Sequence, residues 1–433
     1  MKVRKLSHLR SEELWARALP IIPAGTQTFS KGPTQYVGGV SPKYLQRGEG
    51  ARVWDVDGNE YLDCAFGLGA ILLGHCYPAT TRAVEAQLRE AISLTLMHPL
   101  EVEVSEALIE AIPSAEMVRF AKNGSDATAG AVRCARAHTG REHVAHCGYH
   151  GWQDWYIGCT TRNRGVPKGD IALQHAFVYN DLDSLGRVFA EYPGQVAAVI
   201  MEPVQLTEPQ GSFLPDVVEM AHSHGALVIF DEIITGFRVA LGGAQQHYGV
   251  MPDLTCVGKG LGNGLPISAV VGRAEIMREF AEIFFSFTFG GECLSLAAAK
   301  ATLQELRREP VHEHLWALGR RFRDGCLSLV QELALEDVAE VSGLPPRVML
   351  AFRAAGGTDA LAVKSLFQQE AIKRGVLYSG QHFMCYAHTD ADIDYMLEVY
   401  RDALGILKAA VDARAVEQRL EGAKVQPVFR PVT

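Results

Sequence analysis

Short apolar runs alternate with amphipathic segments through the middle of the chain. Continuous apolar runs that are rich in β-branched residues predict strands with both faces covered, as in a mostly parallel sheet flanked by helices. We therefore predict an α/β fold for this part of the chain. The runs are VRFAK (118–122), HVAHC (143–147), AAVIM (197–201), ALVIF (226–230) and SAVVG (268–272).

The pattern differs on either side of this central region. The stretch ARVWDVDGNEYLDC (51–64) has an Asp-Gly turn between two strand-like runs, which predicts a hairpin. Beyond 310, long amphipathic segments predict helices at 313–334, 359–375 and 391–411, and RVMLAFR (347–353) predicts a strand. We expect a large domain at 61–310, a small C-terminal α+β domain at 311–433, and an N-terminal segment at 1–60 that packs with the small domain.

Composition and charge exclude several classes of protein. With 433 residues, 48% of them hydrophobic and 21% charged, the chain is typical of globular proteins. The net charge of −9 argues against nucleic-acid binding, and no apolar run approaches the roughly 20 residues that span a bilayer. The basic start MKVRKLSHLR lacks the apolar core of a signal peptide, and the nine cysteines form no Cys-x-x-Cys pair. We expect a cytoplasmic protein that binds neither nucleic acid nor a membrane.

Polar residues follow the predicted strands at their carboxyl ends, where open parallel sheets bind ligands. Asp231 comes directly after ALVIF, and a buried acid requires a cationic or proton-donating partner. Gly124 and Ser125 follow the first strand and open a predicted helix, whose free N–H groups would bind phosphate. Simple N-capping by Ser125 is the alternative interpretation.

The segment GYHGW follows the strand HVAHC and carries aromatic residues between glycines. Tyr149 and Trp152 are therefore candidates to stack on a flat ring. His146, Cys147 and His150 could instead form a metal cluster, but their spacing fits no structural zinc pattern. We predict no metal site.

Lys259 lies in VGKGLGNGLP (257–266), where glycines at 258, 260, 262 and 264 surround it. The loop could be a phosphate cradle, a solvated turn, or backbone kept thin so that a ligand reaches the amine. It matches neither the P-loop nor the dinucleotide fingerprint. Pyridoxal phosphate requires a lysine, an acid for its ring nitrogen, an anion site for its phosphate and a ring-stacking partner. The sequence therefore predicts a pyridoxal phosphate site around Lys259, with glycines that let cofactor and substrate approach.

Motifs along nearly the whole chain resemble those of class III aminotransferases, which are pyridoxal phosphate enzymes of fold type I. The most similar branch is the one that includes glutamate-1-semialdehyde aminomutase. The motifs are IPAGTQTFSKGP, VWDVDGNEYLDC, NGSDAT, GYHGW, MEPVQ, FDEIITGFR, GKGLGNGLP, FTFGGE and AHTDADID. The resemblance implies a mostly parallel central sheet flanked by helices, with a smaller α+β domain.

The resemblance also implies roles for residues at matching positions. Lys259 would form the Schiff base and shuttle protons, and Asp231 would bind the pyridine nitrogen. Tyr149 would cover one face of the ring and Ile234 the other. Glu202 would lie near the reacting centre.

The phosphate would be held from two subunits. Gly124 and Ser125 would bind it in one subunit, and Thr288 would reach the phosphate of the partner. This arrangement implies an obligate homodimer with shared active sites.

The chain departs from the aminomutase pattern in the region that selects substrate. Lys31 replaces an arginine that binds the substrate carboxylate, and FTFGGEC (287–293) replaces Gly-Thr-Leu-Ser-Gly-Asn-Pro. A lysine is a point charge without the bidentate fork of arginine. Lys31, Glu292 and His382 are candidate substrate residues, although Lys31 and His382 fit an exposed or hydrogen-bonded structural role equally well.

Transfer of an amino group from glutamate or glutamine to a carbonyl acceptor, such as a sugar or amino-sugar aldehyde or ketone, is the leading hypothesis. Intramolecular aminomutation of the glutamate-1-semialdehyde type is the main alternative, and racemisation or decarboxylation is a third. A noncatalytic binding module would be expected to lack Lys259 or Asp231, and both are present.

Overall fold

The computed structural model describes residues 3–4 and 6–429. Parts of the basic start and of the tail, namely Met1, Lys2, Lys5 and residues 430–433, lie outside the described residues. The chain divides into two compact units, which we call the small unit and the large unit. Of the described residues, the small unit contains 3–4, 6–68, 73–77 and 313–429, and the large unit contains 69–72 and 78–312. The described residues of the predicted N-terminal segment 1–60 fall within the small unit.

The described residues form strands and α-helices throughout both units. Strands β1 to β14 are Leu45–Glu49, Arg52–Asp55, Glu60–Asp63, Met117–Ala121, His143–Cys147, Gln174–Ala176, Val196–Met201, Leu227–Glu232, Leu254–Val257, Ser268–Gly272, Ala339–Ser342, Arg347–Phe352, Val376–Leu377 and Gln381–Phe383. The right-handed helices are Leu9–Ala18, Pro78–Glu90, Pro99–Ala111, Gly124–Thr139, Asp154–Ile157, Lys168–Ala172, Leu182–Glu191, Phe213–Ser223, Gly243–Tyr248, Ala274–Met277, Cys293–Arg308, Val311–Glu332, Ala360–Ile372 and Asp390–Asp412. Among them, none is both long and apolar enough to cross a membrane.

The large unit is built on a seven-stranded sheet with the order β4-β10-β9-β8-β7-β5-β6. Strands β9, β8, β7, β5 and β6 are parallel, and β10 is antiparallel to both of its neighbours. Every residue of β7, β9 and β10 is buried, which explains why these strands read as continuous apolar runs. The predicted α/β fold is confirmed.

Small side chains allow the helix Gly124–Thr139 to pack closely against the sheet. Its buried face consists of residues such as Ala127, Ala131 and Ala135, which join the core of β7, β8 and β10. A Cβ at Gly130 would lie 2.3 Å from the ring of Phe285. This close packing places the start of the helix at the carboxyl edge of the sheet, where the candidate site lies.

The small unit contains two further sheets, with the orders β1-β2-β3-β13 and β11-β12-β14. The predicted hairpin is present, because β2 and β3 pair in antiparallel fashion around Gly58, whose φ is +87°. Asp55 stabilises this turn by accepting hydrogen bonds from the N–H groups of Asp57 and Asn59. The hairpin places β3 beside β13, so the N-terminal and C-terminal parts of the chain share one sheet.

Two helical glycines of the small unit test its packing. A Cβ at Gly319 would lie 1.9 Å from the carbonyl oxygen of Pro345, whereas a Cβ at Gly405 would meet no atom within 4 Å. We expect Gly319→Ala to lower the free energy of unfolding by about 2 kcal/mol, because overpacking forces the backbone to shift. Gly405→Ala should raise it by about 0.5 kcal/mol. Urea denaturation measures both, and equal effects would contradict the packing described here.

Candidate active site

The functional residues predicted in the large unit follow strands that end at one edge of its sheet. Tyr149 follows β5, Glu202 follows β7, Asp231 lies at the end of β8, and Lys259 follows β9. Because β5, β7, β8 and β9 are parallel, their carboxyl ends meet at the same edge. Gly124 belongs to this edge as well, since β4 runs in the same direction as β9 and its end pairs with the start of the antiparallel β10.

The carboxylate of Asp231 is buried, and each of its oxygens accepts a hydrogen bond within the protein. One oxygen accepts a hydrogen bond from Nδ1 of His150 at 2.8 Å, and the other accepts the N–H of Ile233 at 3.1 Å. Both side chains of the Asp231–His150 pair are almost completely shielded from solvent. A buried carboxylate with these partners is held in one orientation at the strand end.

His150 is a site residue that the sequence did not assign to Asp231. It was considered there only as a metal ligand, and the described residues contain no group of three or more potential metal ligands. The nearby His146 is also buried, and burial, reinforced by His150 and His175, lowers the pKa of His146 to about 3. The position of His150 directly after Tyr149 in the loop was the available signal.

The start of the helix Gly124–Thr139 is capped by a side chain and lies against the aromatic loop. The Asn123 side chain caps the helix by accepting the N–H of Asp126. The hydroxyl of Ser125 accepts the N–H of Trp152 at 3.3 Å, and a Cβ at Gly151 would lie 2.3 Å from that hydroxyl oxygen. The backbone of the aromatic loop can therefore approach the helix start only because position 151 is glycine.

Two aromatic residues of the loop after β5 are exposed, Tyr149 at 53% and Trp152 at 63%. Tyr149 is the one tied to Glu202. Its N–H donates to Oε1 of Glu202 at 3.1 Å, and its ring packs edge-on against Tyr156. A Cβ at Gly148 would lie 2.8 Å from the same Oε1. Glu202 thus holds the backbone of the loop that presents Tyr149.

The turn that carries Lys259 is tightly packed on several sides. A Cβ at Gly258 would lie 3.1 Å from Ile233, and a Cβ at Gly262 would lie 2.9 Å from Ile267. A Cβ at Gly264 would lie 2.7 Å from Ile71. Lys259 itself has a φ of +40°, in the left-handed region that non-glycine residues seldom adopt. The glycines therefore let the chain turn sharply beside β8 and β10 with the lysine at the carboxyl edge.

Ile233 is an aliphatic residue packed beside the helix start and the lysine turn. Its side chain lies 3.0 Å from a Cβ position at Gly124 and 3.1 Å from one at Gly258. Its N–H donates to the Asp231 carboxylate, in the turn directly after β8. The assignment of Ile234 to one face of the ring stays a prediction, and this packing makes Ile233 a second candidate for that face.

Two further candidates of the large unit, Glu292 and Thr288, do not directly follow the strands of the carboxyl edge. Glu292 caps the helix Cys293–Arg308 and forms an ion pair with Lys122 at 3.1 Å. Burial alone would raise the pKa of Glu292, but hydrogen bonds from Ser295, Lys122 and Leu294 outweigh it and hold the pKa below its ordinary value. Thr288 lies in an exposed turn of the large unit.

Two substrate candidates belong to the small unit. Lys31 is exposed in a 3-10 turn. His382 is buried, and its ring nitrogens face the carbonyl oxygen of Val348 and the hydroxyl of Tyr400. Burial lowers the pKa of His382 to about 3. These contacts match the structural interpretation of His382 and leave no ring nitrogen for a substrate.

Comparison with known proteins identifies the family. The model for "Aminotransferase class-III" matches residues 37–404, so the chain belongs to the class III aminotransferases. It is 37% identical over 424 residues to a glutamate-1-semialdehyde 2,1-aminomutase from Desulfitobacterium hafniense, covering 91% of this chain and 98% of that protein. It is 33% identical to a 3-aminobutyryl-CoA aminotransferase from Cloacimonas acidaminovorans, with coverage of 93% and 99%.

A solved structure extends the likeness to the fold. The FumI protein from Sphingopyxis sp. MTA144, solved in its PLP internal aldimine form, aligns with a TM-score of 0.86 and 29% identity, covering 96% of this chain and 99% of that one. The chain is therefore a pyridoxal-phosphate-dependent enzyme of fold type I. The predictions of fold, family and cofactor are confirmed.

The residues at the carboxyl edge fit this cofactor. Glycines at 124 and 151 let the helix start pack against Ile233 and the aromatic loop, and the N–H groups of a helix start suit a phosphate. Asp231 is a buried acid suited to a protonated ring nitrogen, and Lys259 supplies the only lysine in the glycine-rich turn 258–264. An amine, an acid and an anion site are the groups that pyridoxal phosphate requires, and this edge of the sheet supplies all three.

The Asp231–His150 pair can be tested by two substitutions at one position. The amide nitrogen of Asn and Nδ1 of His are both three bonds from Cα, so Asn can still donate a hydrogen bond to Asp231. Leu has no donor. We expect His150→Leu to lower the free energy of unfolding by about 3 kcal/mol, because a buried charge loses its partner. His150→Asn should retain most of the stability.

The two variants His150→Leu and His150→Asn should also differ in their affinity for pyridoxal phosphate. Titration of apo-protein with pyridoxal phosphate should show weaker binding for His150→Leu than for His150→Asn. His224→Asn, at an exposed position of the same unit, is the control and should leave both properties unchanged. Similar behaviour of the Leu and Asn variants would contradict the role assigned to His150.

Proposed function

We propose that this protein transfers an amino group from an amino acid, glutamate or glutamine, to a separate carbonyl acceptor. Membership of the class III aminotransferases supports the reaction class. The observation that favours a separate acceptor is Lys31, which stands where the aminomutase-like proteins have an arginine for the substrate carboxylate. An exposed point charge holds a carboxylate less specifically than a guanidinium fork does.

The residues of the carboxyl edge would divide the chemistry among them. When bound, pyridoxal phosphate supplies a carbonyl carbon that bonds to amines and a ring that takes up electrons. Lys259 would hold the cofactor through Nζ and, once displaced by the donor, would remove the proton from the donor Cα and return one later. Asp231, oriented by His150 and the N–H of Ile233, would keep the ring nitrogen protonated.

Other residues would bind and orient the cofactor. The helix start at Gly124 and Ser125 would hold the phosphate, and Tyr149 would cover one face of the ring. Ile233 would cover the opposite face, because it packs against the glycines on either side of the site. Glu202 would act through Tyr149, whose N–H it accepts, by fixing the loop.

Intramolecular aminomutation is the second candidate function. It is favoured by the relatives, because the aminomutase from Desulfitobacterium hafniense is 37% identical over 424 residues. The 3-aminobutyryl-CoA aminotransferase, at 33% identity over 414 residues, favours intermolecular transfer. The two reactions differ in one respect: only in intermolecular transfer does an amino donor alone convert the bound cofactor to its amine form.

The half-reaction distinguishes these functions. Purified holoprotein is mixed with L-glutamate or L-glutamine without an acceptor, and its visible spectrum and the released keto acid are measured. We expect the cofactor to convert to its amine form with one keto acid released per site, after which sugar and amino-sugar carbonyl compounds are screened as acceptors. No conversion with either donor would contradict intermolecular transfer from these amino acids and favour the aminomutase.

We also propose that the enzyme is a homodimer in which Thr288 reaches the partner's phosphate site. Thr288 lies in an exposed turn between Phe284 and Phe289, which are 84% and 58% exposed. The carbonyl of Ile92 accepts the N–H of Cys293, which places the exposed segment 92–97 beside the end of this turn. Exposed apolar residues on neighbouring segments are typical of a subunit interface. Free thiols at all nine cysteines support a reducing location such as the cytoplasm.

Light scattering tests the dimer. Met97→Asp places a charge in the exposed segment, where Met97 is 79% accessible, and should convert the dimer to monomer because interface charges must be desolvated. Met251→Asp is the matched control, since Met251 is also exposed but lies elsewhere on the large unit. A monomeric native protein, or a Met97→Asp variant that remains dimeric, would contradict the proposed interface.

A further inference from the structure

A group of buried polar atoms lies beside the ring that holds Asp231. Within the part of the chain that the structure describes, these atoms have no hydrogen-bond partner: Nε2 of His150, Nε2 of His146, Nε1 of Trp155 and Oε1 of Gln174. Their residues are between 1% and 9% exposed. Folded proteins satisfy nearly all of their buried polar atoms, so a group of unsatisfied atoms in one place indicates a ligand that bonds to them.

The ring-bearing residues of this group surround Tyr156. The centre of the Tyr156 ring lies 5.5 Å from that of His146, 5.2 Å from that of His150 and 5.7 Å from that of Trp155. The ring centre of His150 lies 6.5 Å from that of His146 and 6.1 Å from that of Trp155. A bridging water spans up to about 6 Å between two polar atoms, so nitrogens of rings at these separations can share one.

Gln174 extends the group from the neighbouring strand. In the parallel pairing of β5 with β6, Val144 lies opposite Gln174, so His146, two residues further along β5, shares the same face of the sheet. The amide nitrogen of Gln174 donates to the carbonyl oxygen of Asp154, directly before Trp155, at 3.1 Å. The remaining Oε1 can only accept a hydrogen bond.

The four atoms together require both donors and acceptors. Nε1 of Trp155 only donates, and Oε1 of Gln174 only accepts. His150 presents Nδ1 to the Asp231 carboxylate, so Nδ1 carries hydrogen and, in a neutral ring, Nε2 accepts. Burial lowers the pKa of His146 to about 3, so its ring is neutral and its Nε2 either donates or accepts. A metal ion would need acceptors only and an anion donors only, whereas water both donates and accepts.

We propose that ordered water joins these four atoms and holds His150 in the orientation and tautomer in which Nδ1 donates to Asp231. A proton on Nε2 instead of Nδ1 would turn a nitrogen lone pair toward the carboxylate, and water that donates to Nε2 prevents this exchange. The other three residues of the group are positioning residues. They act through His150 on Asp231, and through Asp231 on the ring nitrogen of pyridoxal phosphate. The proposal concerns the cofactor site alone, so it holds for either transfer reaction.

A high-resolution crystal structure of the holoenzyme tests the water directly. We expect an ordered water oxygen about 3 Å from Nε2 of His150 and at hydrogen-bond distance from at least two of the other three atoms. Contact of these atoms with one another or with apolar side chains only, without such a water, would overturn the proposal.

Two substitutions of His146 test its positioning role. His146→Phe keeps a ring but removes both nitrogens, whereas His146→Gln retains a donor and an acceptor. Titration of apo-protein with pyridoxal phosphate should show binding weakened about tenfold by His146→Phe and about twofold by His146→Gln, because only the first removes a hydrogen bond. Trp155→Phe removes the indole donor and should resemble His146→Phe.

A double-substitution cycle separates positioning from packing. The Asn side chain of His150→Asn ends at the position of Nδ1 and has no atom equivalent to Nε2. His146→Phe added to this variant should therefore leave its affinity for pyridoxal phosphate unchanged. A role of His146 in packing alone would give the same loss in both backgrounds, because independent effects add. Equal losses in both backgrounds, or no loss in the native background, would overturn the proposal.

His143→Phe is the matched control, because His143 lies on the same strand as His146 but stacks on Tyr192, outside the group. This variant should bind pyridoxal phosphate as the native protein does. Urea denaturation shows whether each variant is folded. If His146→Phe is not folded, the same cycle with Trp155→Phe decides between the outcomes.

Discussion

The buried carboxylate of Asp231 is the constraint on which the rest of the site depends. An acid at the end of a central strand is stable only with a fixed donor, and His150 and the N–H of Ile233 provide that donor. The His150 bond also ties the aromatic loop after β5 to β8. The loop in turn places Gly151 against Ser125 at the helix start. One buried charge thereby links three strand ends of the large unit.

The second requirement of the carboxyl edge is glycine at the positions where its loops pack closely. Glycines at 148, 151, 258, 262 and 264 each stand where a Cβ would lie less than 3.2 Å from a neighbouring atom. A side chain at such a position would require Glu202, Ser125, Ile233, Ile267 or Ile71, or the loops themselves, to shift. The glycine-rich surroundings of Lys259 thus follow from close packing against β8 and β10 rather than from flexibility.

The sequence predicted the features that depend on local pattern. Strand β5 lies at 143–147 and strand β10 at 268–272, as their apolar runs indicated, and Lys259 and Asp231 follow strands at one edge. Features that depend on contacts between distant residues were not predicted. Three examples are the pairing of His150 with Asp231, the burial of His382 against Tyr400, and the packing of Ile233 beside Gly124 and Gly258. Each depends on which face of the chain meets another element.

The most direct test of this account is to locate the lysine that binds the cofactor. Holoprotein is reduced with borohydride, which fixes the bond between cofactor and lysine, and the protein is then digested and examined by mass spectrometry. We predict a pyridoxyl group on the peptide that contains Lys259. A pyridoxyl group on another lysine, such as Lys122 beside the helix start, or no modified peptide at all, would contradict the central assignment.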